Sequence, residues 1–338
     1  FDAAPAVPSE PVSLAELDAL VERALTRAGA DADNARAIAD TVMEAERDGT
    51  ASHGVFRVSG YAAAIEKGLI NGRAVPRFLP APGAAVIVDG DRGSASCAYR
   101  IALPALAEKA EAEGAAVLAL RNAAHYAALW HEVEFLAARG LAAFACTANF
   151  PYVAPHGGQR PFFGTNPIAF AFPRSNAAPV VFDFAVSTVS RGSIQIALRD
   201  GATMPAGVGI DRDGRPTRDP AAILAGAQTA FGEHKGAALA LMVELLAAGI
   251  VGDVFSDEAE AEAIAGGVPV GGVFVLALSP ERLGGPDALS RAEAFLGRLE
   301  AEPGARLPGA RRHARRNSSA PYVVPASLMA ELRALAGD

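Results

Sequence analysis

One stretch of fourteen residues, 48–61, concentrates side chains that could do chemistry. It reads D-G-T-A-S-H-G-V-F-R-V-S-G-Y and contains Ser52, His53 and Arg57. Gly54 would leave the imidazole of His53 open to a ligand, and the Ser52 hydroxyl could orient it. If a helix begins at Gly54, Arg57 comes about one turn after His53, so that both face the same space. Arginine could then hold the carboxylate of a small 2-oxo or 2-imino acid while histidine moves a proton. For an isolated S-H-G, a helix cap with a solvated histidine would be the better interpretation.

Further polar residues stand where predicted strands end. His125 and Tyr126 follow one strand, and strand ends of an α/β sheet face the ligand crevice. Thr165 and Asn166 follow a glycine- and proline-rich loop whose backbone could approach a ligand closely. Asp183 lies within an apolar strand, so its carboxylate needs either a backbone donor or a ligand hydroxyl. A capping histidine and a tight turn without a ligand remain open as alternatives.

Two sites in the second half of the chain suit anions. His234 and Lys235 begin a long apolar helix, and the free amides of a helix N-terminus bind phosphate. Residues 306–316, R-L-P-G-A-R-R-H-A-R-R, concentrate positive charge in a chain of net charge −8. Such a cluster could hold nucleotide phosphates, including the 2′-phosphate of NADP. An exposed helix start and a solvated charged surface are the structural alternatives.

The composition excludes several classes of protein. A net charge of −8 argues against a nucleic-acid binder. Cys97 and Cys146 lack C-x-x-C spacing, which predicts buried thiols in a reducing, cytoplasmic compartment. The apolar run 236–252 carries Glu244 and is too short for a comfortable membrane span, so a buried helix is predicted. Residues 1–11 are acidic and proline-rich and predict a disordered start without a signal peptide.

The apolar periodicity predicts an N-terminal helical layer followed by an α/β region. Ser13 and Glu16 form a capping box, Asp31 or Asp33 caps a second helix, and a third ends near Lys67. Strands are predicted at 85–88, 115–120, 141–147, 168–172, 180–184 and 272–278, and helices at about 99–113, 129–139, 235–249, 288–302 and 328–335. Residues 200–219 are turn-rich and predict an exposed excursion, and 257–267 a loop. The sequence contains neither G-x-G-x-x-G nor a P-loop nor metal-ligand spacing, so it supports no Rossmann, P-loop or metal site.

Seven segments, taken together and in order, resemble the type 2 malate/L-lactate dehydrogenase family, also called the sulfolactate or ureidoglycolate dehydrogenase family. They are D-G-T-A-S-H-G-V-F-R, N-A-A-H-Y, V-A-P-H-G-G, G-T-N-P-I-A-F, F-D-F-A-V-S, H-K-G-A-A-L-A-L-M-V-E-L-L-A-A and R-L-P-G-A-R-R. The resemblance implies a mixed-sheet, non-Rossmann NAD(P)-binding fold and a homodimer. It also implies a discontinuous substrate and dimerisation domain, 1–75 with about 285–338. A nucleotide-binding domain, 76–284, would carry the excursion at about 200–220.

Within the family, S-H-G-V-F-R-V-S-G-Y, H-Y-A-A-L-W and the small residues after H-K-G resemble the Δ1-piperideine-2-carboxylate/Δ1-pyrroline-2-carboxylate reductases. These enzymes use NADPH to convert cyclic imines to L-pipecolate or L-proline. The resemblance implies that Ser52 orients His53, the proton donor, and that Arg57 and Thr165 bind substrate. NADPH, with NADH as a possible substitute, would be held by His125, Tyr126, Ala127, Ala128, Leu129, Asp183, Phe184, Ala185, His234, Lys235, Pro308, Gly309, Arg311 and Arg312.

One position departs from those reductases. They carry an acidic residue in a G-D-V-Q-I-A run, where this chain has Ser193. If that acid relays protons through Ser52 and His53, serine is a weaker substitute. The alternatives are a 2-hydroxy-acid dehydrogenase acting on malate, lactate, ureidoglycolate or a sugar acid, and a catalytically inactive nucleotide- or metabolite-binding protein.

Overall fold

The computed structural model describes residues 8–125, 127–259, 268–316 and 322–338. Helices in these ranges are α1 (Leu14–Arg27), α2 (Ala32–Arg47), α3 (Val58–Glu66), α4 (Ala95–Glu113), α5 (Trp130–Ala138), α6 (Arg191–Arg199), α7 (Pro220–Ala225), α8 (His234–Glu244), α9 (Pro280–Gly284), α10 (Ala288–Glu300), α11 (Ala310–Arg316) and α12 (Ala326–Ala336). A 3-10 turn, Val55–Arg57, precedes α3, and a π-helical turn, Leu245–Ile250, continues α8.

A seven-stranded mixed sheet forms the centre of the molecule. Its strands are β2 (Arg77–Leu79), β3 (Ala85–Asp89), β4 (Ala115–Ala124), β5 (Ala142–Thr147), β6 (Ile168–Phe172), β7 (Val180–Phe184) and β11 (Val270–Leu278), in the spatial order β2-β3-β4-β11-β5-β6-β7. Strands β3 and β4 run parallel, and the other neighbours are antiparallel. The predicted mixed α/β fold is therefore confirmed.

Helices cover both faces of this sheet. Apolar residues of α4 and α5 pack on one face around Leu118 and Val275. On the other face, Val243 and Ala247 of α8 and its π-helical turn pack against Phe274. A central strand covered on both faces must be apolar along its length, which explains the nearly continuous apolar run of β4.

The N-terminal helical layer is closed by the C-terminal end of the chain. The Ser13 hydroxyl accepts a hydrogen bond from the Glu16 amide (3.1 Å), and Asp31 caps α2 through the Asn34 amide (2.9 Å). Leu17 of α1 is fully buried in a core that also contains Leu332 of α12. Strand β1 (Ser9–Val12) pairs with β12 (Tyr322–Pro325) in a separate two-stranded sheet.

Several predicted boundaries change. The prediction of a disordered start is wrong for residues 9–11, because they belong to β1. Helix α4 begins at Ala95 rather than near 99, and α6 was not predicted. The excursion forms a small sheet of β8 (Gly209–Ile210), β9 (Pro216–Thr217) and β10 (Ala227–Gln228). Most of the loop predicted at 257–267 lies outside the described residues.

The described part of the chain contains neither a membrane-spanning helix nor a group of metal-binding side chains. Among the described residues, no helix is both long enough and apolar enough to cross a membrane. Over the same ranges, no three His, Cys, Asp or Glu side chains form a group that could hold a metal ion. Both cysteines are buried and unpaired, as predicted.

Candidate active site

A cleft of about 410 Å³ lies where the 48–61 stretch meets the strand ends and the start of α6. Its lining residues are Thr50, Ser52, His53, Arg57, His125, Ala127, Ala128, Leu129, Trp130, Asn149, Phe150, Tyr152, Thr165, Pro167, Asp183, Phe184, Ala185, Ser190, Arg191, Gly192, Gln195, Pro269 and Arg312. All four residues predicted to act on substrate, Ser52, His53, Arg57 and Thr165, are among them.

Ser52, His53 and Arg57 are held together by short contacts within their own turn. The Ser52 hydroxyl lies 3.0 Å from His53 Nδ1, and Arg57 Nε donates to the Ser52 carbonyl at 2.7 Å. Gly54 has a packing role as well, because a Cβ there would collide with the Glu46 carboxylate. That carboxylate accepts from the amide of Val55 at 3.0 Å, which ties the turn to α2.

His53 is neutral in the ligand-free protein. Removal of its ring from water, reinforced by the positive charge of Arg57, lowers the pKa of His53 to about 3. The ordinary histidine value of about 6.5, on which the sequence interpretation relied, therefore does not apply without a ligand. A substrate carboxylate bound at Arg57 would offset that charge and raise the pKa of His53.

The end of β4 contributes a second histidine. His125 is buried, and its Nε2 lies 3.4 Å from Oε1 of Glu132, which is only 1% exposed. The His125 ring also meets Tyr99 edge-on. Tyr126 lies outside the described residues, whereas Ala127, Ala128 and Leu129 line the cleft. A histidine held by a buried carboxylate has a fixed orientation toward the cleft.

Asp183 uses the backbone partner that was one of its two predicted options. Its Oδ2 accepts a hydrogen bond from the Leu129 amide at 2.6 Å. Burial, opposed in part by that bond, raises the pKa of Asp183 to about 6. The Asp183 contact fixes the Leu129 backbone against β7, and Phe184 and Ala185 complete this wall.

A buried carboxylate organises the loop that presents Thr165. Glu244 accepts hydrogen bonds from Asn166 Nδ2 (2.7 Å), the Ser256 hydroxyl (2.6 Å) and the Ser256 amide (3.0 Å). Asn166 has a positive φ of 41° and is fully buried. Asn166 thus serves the fold, while its neighbour Thr165 faces the cleft.

Arg312 is the member of the basic cluster that enters the cleft. Its guanidinium lies 4.6 Å from the Trp130 ring centroid. Nε and Nη2 approach carboxylate oxygens of Asp48 and Glu134 at 3.3 and 3.6 Å, respectively. Neither nitrogen makes a hydrogen bond to the described residues, so two buried donors remain available to a ligand. Loss of solvent lowers the pKa of Arg312.

Five other predicted cofactor-binding residues are not among the residues that line the cleft. Arg311, His234 and Lys235 are exposed, and the His234 ring meets His156 edge-on at 5.9 Å. The Pro308 carbonyl accepts from the Val181 amide (3.4 Å), and Gly309 lies against the same residue. These five residues therefore lie outside the cleft lining that contains His53, His125, Asp183 and Arg312.

Sequence reasoning missed the contribution of α6. Ser190 caps this helix by accepting from the Ser193 amide, and Arg191, Gly192 and Gln195 line the cleft. Ser193 itself is exposed, does not line the cleft, and shares a 2.8 Å hydroxyl contact with Ser190. Ser190, the N-cap residue, is a sequence signal for the start of α6. A helix cap alone gives no indication of a ligand.

Comparison with known proteins identifies the family of the chain. Residues 12–332 match the family model described as malate/L-lactate dehydrogenase. A Δ1-pyrroline-2-carboxylate/Δ1-piperideine-2-carboxylate reductase of Pseudomonas aeruginosa is 43% identical over 330 residues, 96% of this chain and 98% of that protein. A Δ1-pyrroline-2-carboxylate reductase of Ancylobacter novellus is 41% identical over 334 residues, covering 96% of this chain and 98% of the relative.

Solved structures give the same result. The crystal structure of Δ1-piperideine-2-carboxylate reductase from Pseudomonas syringae superposes with a TM-score of 0.91 at 40% identity, covering 96% of this chain and 99% of that one. Sulfolactate dehydrogenase from Methanocaldococcus jannaschii superposes with a TM-score of 0.87 at 28% identity, covering 97% of each chain. These matches confirm the predicted family resemblance and fold. The chain belongs to the malate/L-lactate dehydrogenase family of oxidoreductases.

Proposed function

We propose that this protein reduces cyclic imino acids, Δ1-piperideine-2-carboxylate and Δ1-pyrroline-2-carboxylate, to L-pipecolate and L-proline with NADPH. The observation that carries the proposal is the joint placement of Ser52, His53 and Arg57 in the cleft. A carboxylate clamp beside a proton carrier matches a substrate with a carboxylate on the carbon that accepts hydride. Relatives above 40% identity that are named as reductases of these imines support the same choice.

Each residue has a defined task in this proposal. Arg57 binds the substrate carboxylate, and the Thr165 hydroxyl donates a hydrogen bond in the same pocket. His53, oriented through Nδ1 by Ser52, supplies the proton that the ring nitrogen carries in the product. A bound nicotinamide would supply the hydride that C2 of the imine accepts.

The cleft has features that fit a dinucleotide phosphate. Arg312 offers two buried donors without hydrogen bonds, and a guanidinium binds phosphate through paired N–H groups. Residues 127–129 and 183–185 line the same cleft, where Ala127, Ala128 and Ala185 leave the backbone accessible to a ligand. We propose NADPH as the preferred cofactor and Arg312 as a ligand of its 2′-phosphate. His125, Tyr126, His234, Lys235, Pro308, Gly309 and Arg311 complete the proposed cofactor set.

A 2-hydroxy-acid dehydrogenase is the second candidate, and one observation favours it. Position 193 carries an exposed serine instead of the acidic residue expected in imine reductases. Malate and sulfolactate dehydrogenases share the fold. Such an enzyme would use a histidine of the cleft as the base that removes the hydroxyl proton.

The absorbance of NADPH distinguishes the two candidates. We expect it to fall with Δ1-piperideine-2-carboxylate and to change little with pyruvate, oxaloacetate or sulfopyruvate. Turnover confined to 2-oxo acids would contradict the proposal. NADH in place of NADPH tests the cofactor preference in the same assay.

The domain division and assembly also remain proposals. We propose that residues 1–75 act with about 285–338 in substrate binding and dimerisation, and that 76–284 bind the nucleotide. The packing of α12 on α1 supports part of this division, although Arg174 before β7 pairs with Glu293 and Glu300 of α10. We further propose a homodimer in the cytoplasm, where a reducing environment suits two unpaired thiols.

A further inference from the structure

Arg191 is a cation in the cleft that the proposed reaction has not yet used. It is the first residue of α6, and its guanidinium lies 3.8 Å from the centroid of the Tyr152 ring. Both side chains line the cleft. Stacking on an aromatic ring fixes the plane of a guanidinium and leaves its edge free to bind a planar anion.

The charge of Arg191 has no counterion among the described residues. Every ion pair found there involves other side chains, whereas Arg312, the cation near Trp130, approaches Asp48 and Glu134. Loss of solvent lowers the pKa of Arg191, and the contact with Tyr152 offsets this effect only in part. A desolvated cation without a partner is unfavourable unless a ligand supplies the opposite charge.

The position of Arg191 indicates which ligand group it meets. The next residue, Gly192, is so close to Arg57 that a Cβ on it would lie 3.7 Å from Arg57 Nη2. The start of α6 therefore lies beside the proposed carboxylate clamp. Arg312 instead contacts Trp130, on the wall proposed for the cofactor.

We propose that Arg191 and Arg57 bind the same substrate carboxylate, one guanidinium at each oxygen, and so restrict turnover to cyclic imines that carry a carboxylate at C2. This inference rests on the proposed function. Arg191 is a specificity-determining residue in this account, and Tyr152 holds it in place.

Binding of pyrrole-2-carboxylate tests the proposal without turnover, since this flat ring carries one carboxylate and accepts no hydride. Titration calorimetry on the NADP-loaded protein should show about tenfold to hundredfold weaker binding for Arg191→Gln, as for the loss of one charged hydrogen bond. Arg191→Lys should recover little of the loss, because an ammonium lacks the planar fork. Arg199→Gln, in the last turn of the same helix, should bind as the wild type does.

Kinetics provide the second readout. Wild type should reduce Δ1-piperideine-2-carboxylate far faster than Δ1-piperideine, which lacks the carboxylate, and Arg191→Gln should narrow that ratio at least tenfold. Unchanged affinity for pyrrole-2-carboxylate, or weakened NADPH binding in its place, would overturn the inference. If wild type reduces no cyclic imine yet binds pyrrole-2-carboxylate through Arg191, the proposed function fails while the carboxylate site stands.

Discussion

At the scale of single residues, the proton on His53 is the central question. The ligand-free protein holds this imidazole neutral, since loss of solvent and the charge of Arg57 both lower its pKa. A proton donor must carry its proton when the hydride arrives. A bound carboxylate offers a solution, because it offsets the charge of Arg57 and so favours the protonated imidazole.

We therefore predict that substrate-like anions bind with proton uptake. The pKa of His53 is about 3 in the free protein, and binding raises it, so the complex holds more protons than its separate components at pH 6. Calorimetry of pyrrole-2-carboxylate binding in buffers of different ionisation enthalpy measures this uptake. His53→Ala should abolish it, and heats from wild type that do not depend on the buffer would contradict the coupling.

Removal of the imidazole should slow the reaction without preventing cofactor binding. Positioned general acids contribute about 10²–10⁴-fold, so His53→Ala should lose roughly that factor in kcat at neutral pH. The loss should shrink at low pH, where the imine is already protonated in solution. Steady-state rates across pH, with folding checked by circular dichroism, measure the effect. If this variant keeps the wild-type kcat at neutral pH, His53 is not the proton donor. His125 would then be the next residue to test.

At the scale of elements, α6 shows how a helix start can shape the cleft while position 193 stays outside it. Ser193 is the third residue of the helix. It is exposed and hydrogen-bonded to Ser190. An acidic side chain there would interact favourably with the positive end of the helix dipole. It would not reach the residues that line the cleft.

We expect Ser193→Asp to stabilise the protein by about 0.3–1 kcal/mol, the usual gain from an acid in the first turn of a helix. Differential scanning calorimetry would report it as a higher Tm. Turnover of the imine should stay within about threefold of wild type, with Ser193→Ala as the matched control. A tenfold rise in kcat would instead show that the acidic relay works from this position.

The sequence predicted some elements better than others for identifiable reasons. The strands β3 to β7 and β11 are short, mostly apolar runs, and such runs indicate buried strands in the sequence itself. Helix α6 buries only Gly192 and Ile194, and its apolar residues Ile194, Ile196 and Leu198 alternate as in a strand rather than a helix. Strand β1 lies in a proline-rich segment and is stabilised by β12, which lies more than 300 residues later. No local signal could reveal that pairing.

The residues of the site also differ in how well the sequence predicts them. Ser52, His53 and Arg57 are close in sequence, so their cooperation could be predicted from spacing. Arg191 lies over 130 residues from Arg57, and only the fold brings α6 beside it. The low pKa of His53 likewise depends on tertiary burial, which the S-H-G motif cannot express.

At the scale of the whole molecule, the C-terminal part of the chain returns to the cleft and closes it with α11. Arg316 forms ion pairs with Asp48 (2.6 Å) and Glu134 (2.8 Å), and Arg312 lies beside them. Asp48 is the first residue of the 48–61 stretch. Through its ion pair with Arg316 it anchors α11, and it also lies beside Arg312.

This closure brings Arg312 into the cleft, where it can set the cofactor preference. Arg312→Ala should reduce the preference for NADPH over NADH at least tenfold, because the 2′-phosphate would lose a charged partner. Arg306 is exposed, does not line the cleft and is not part of the proposed cofactor set, so Arg306→Ala serves as the control and should change the preference less than threefold. The preference is obtained from the dissociation constants of both cofactors. Quenching of the fluorescence of Trp130, the single tryptophan, measures them. Equal preference in wild type would refute this role of Arg312.

Isotope transfer tests the proposed reaction most directly. NADPH carrying deuterium at both C4 positions would be incubated with the wild-type protein and Δ1-piperideine-2-carboxylate, and the product analysed by mass spectrometry and chiral chromatography. Hydride transfer to the imine predicts L-pipecolate with one deuterium at C2. Pipecolate without the label, or label found only in a 2-hydroxy acid when a 2-oxo acid is offered, would contradict the assignment as a cyclic imino acid reductase.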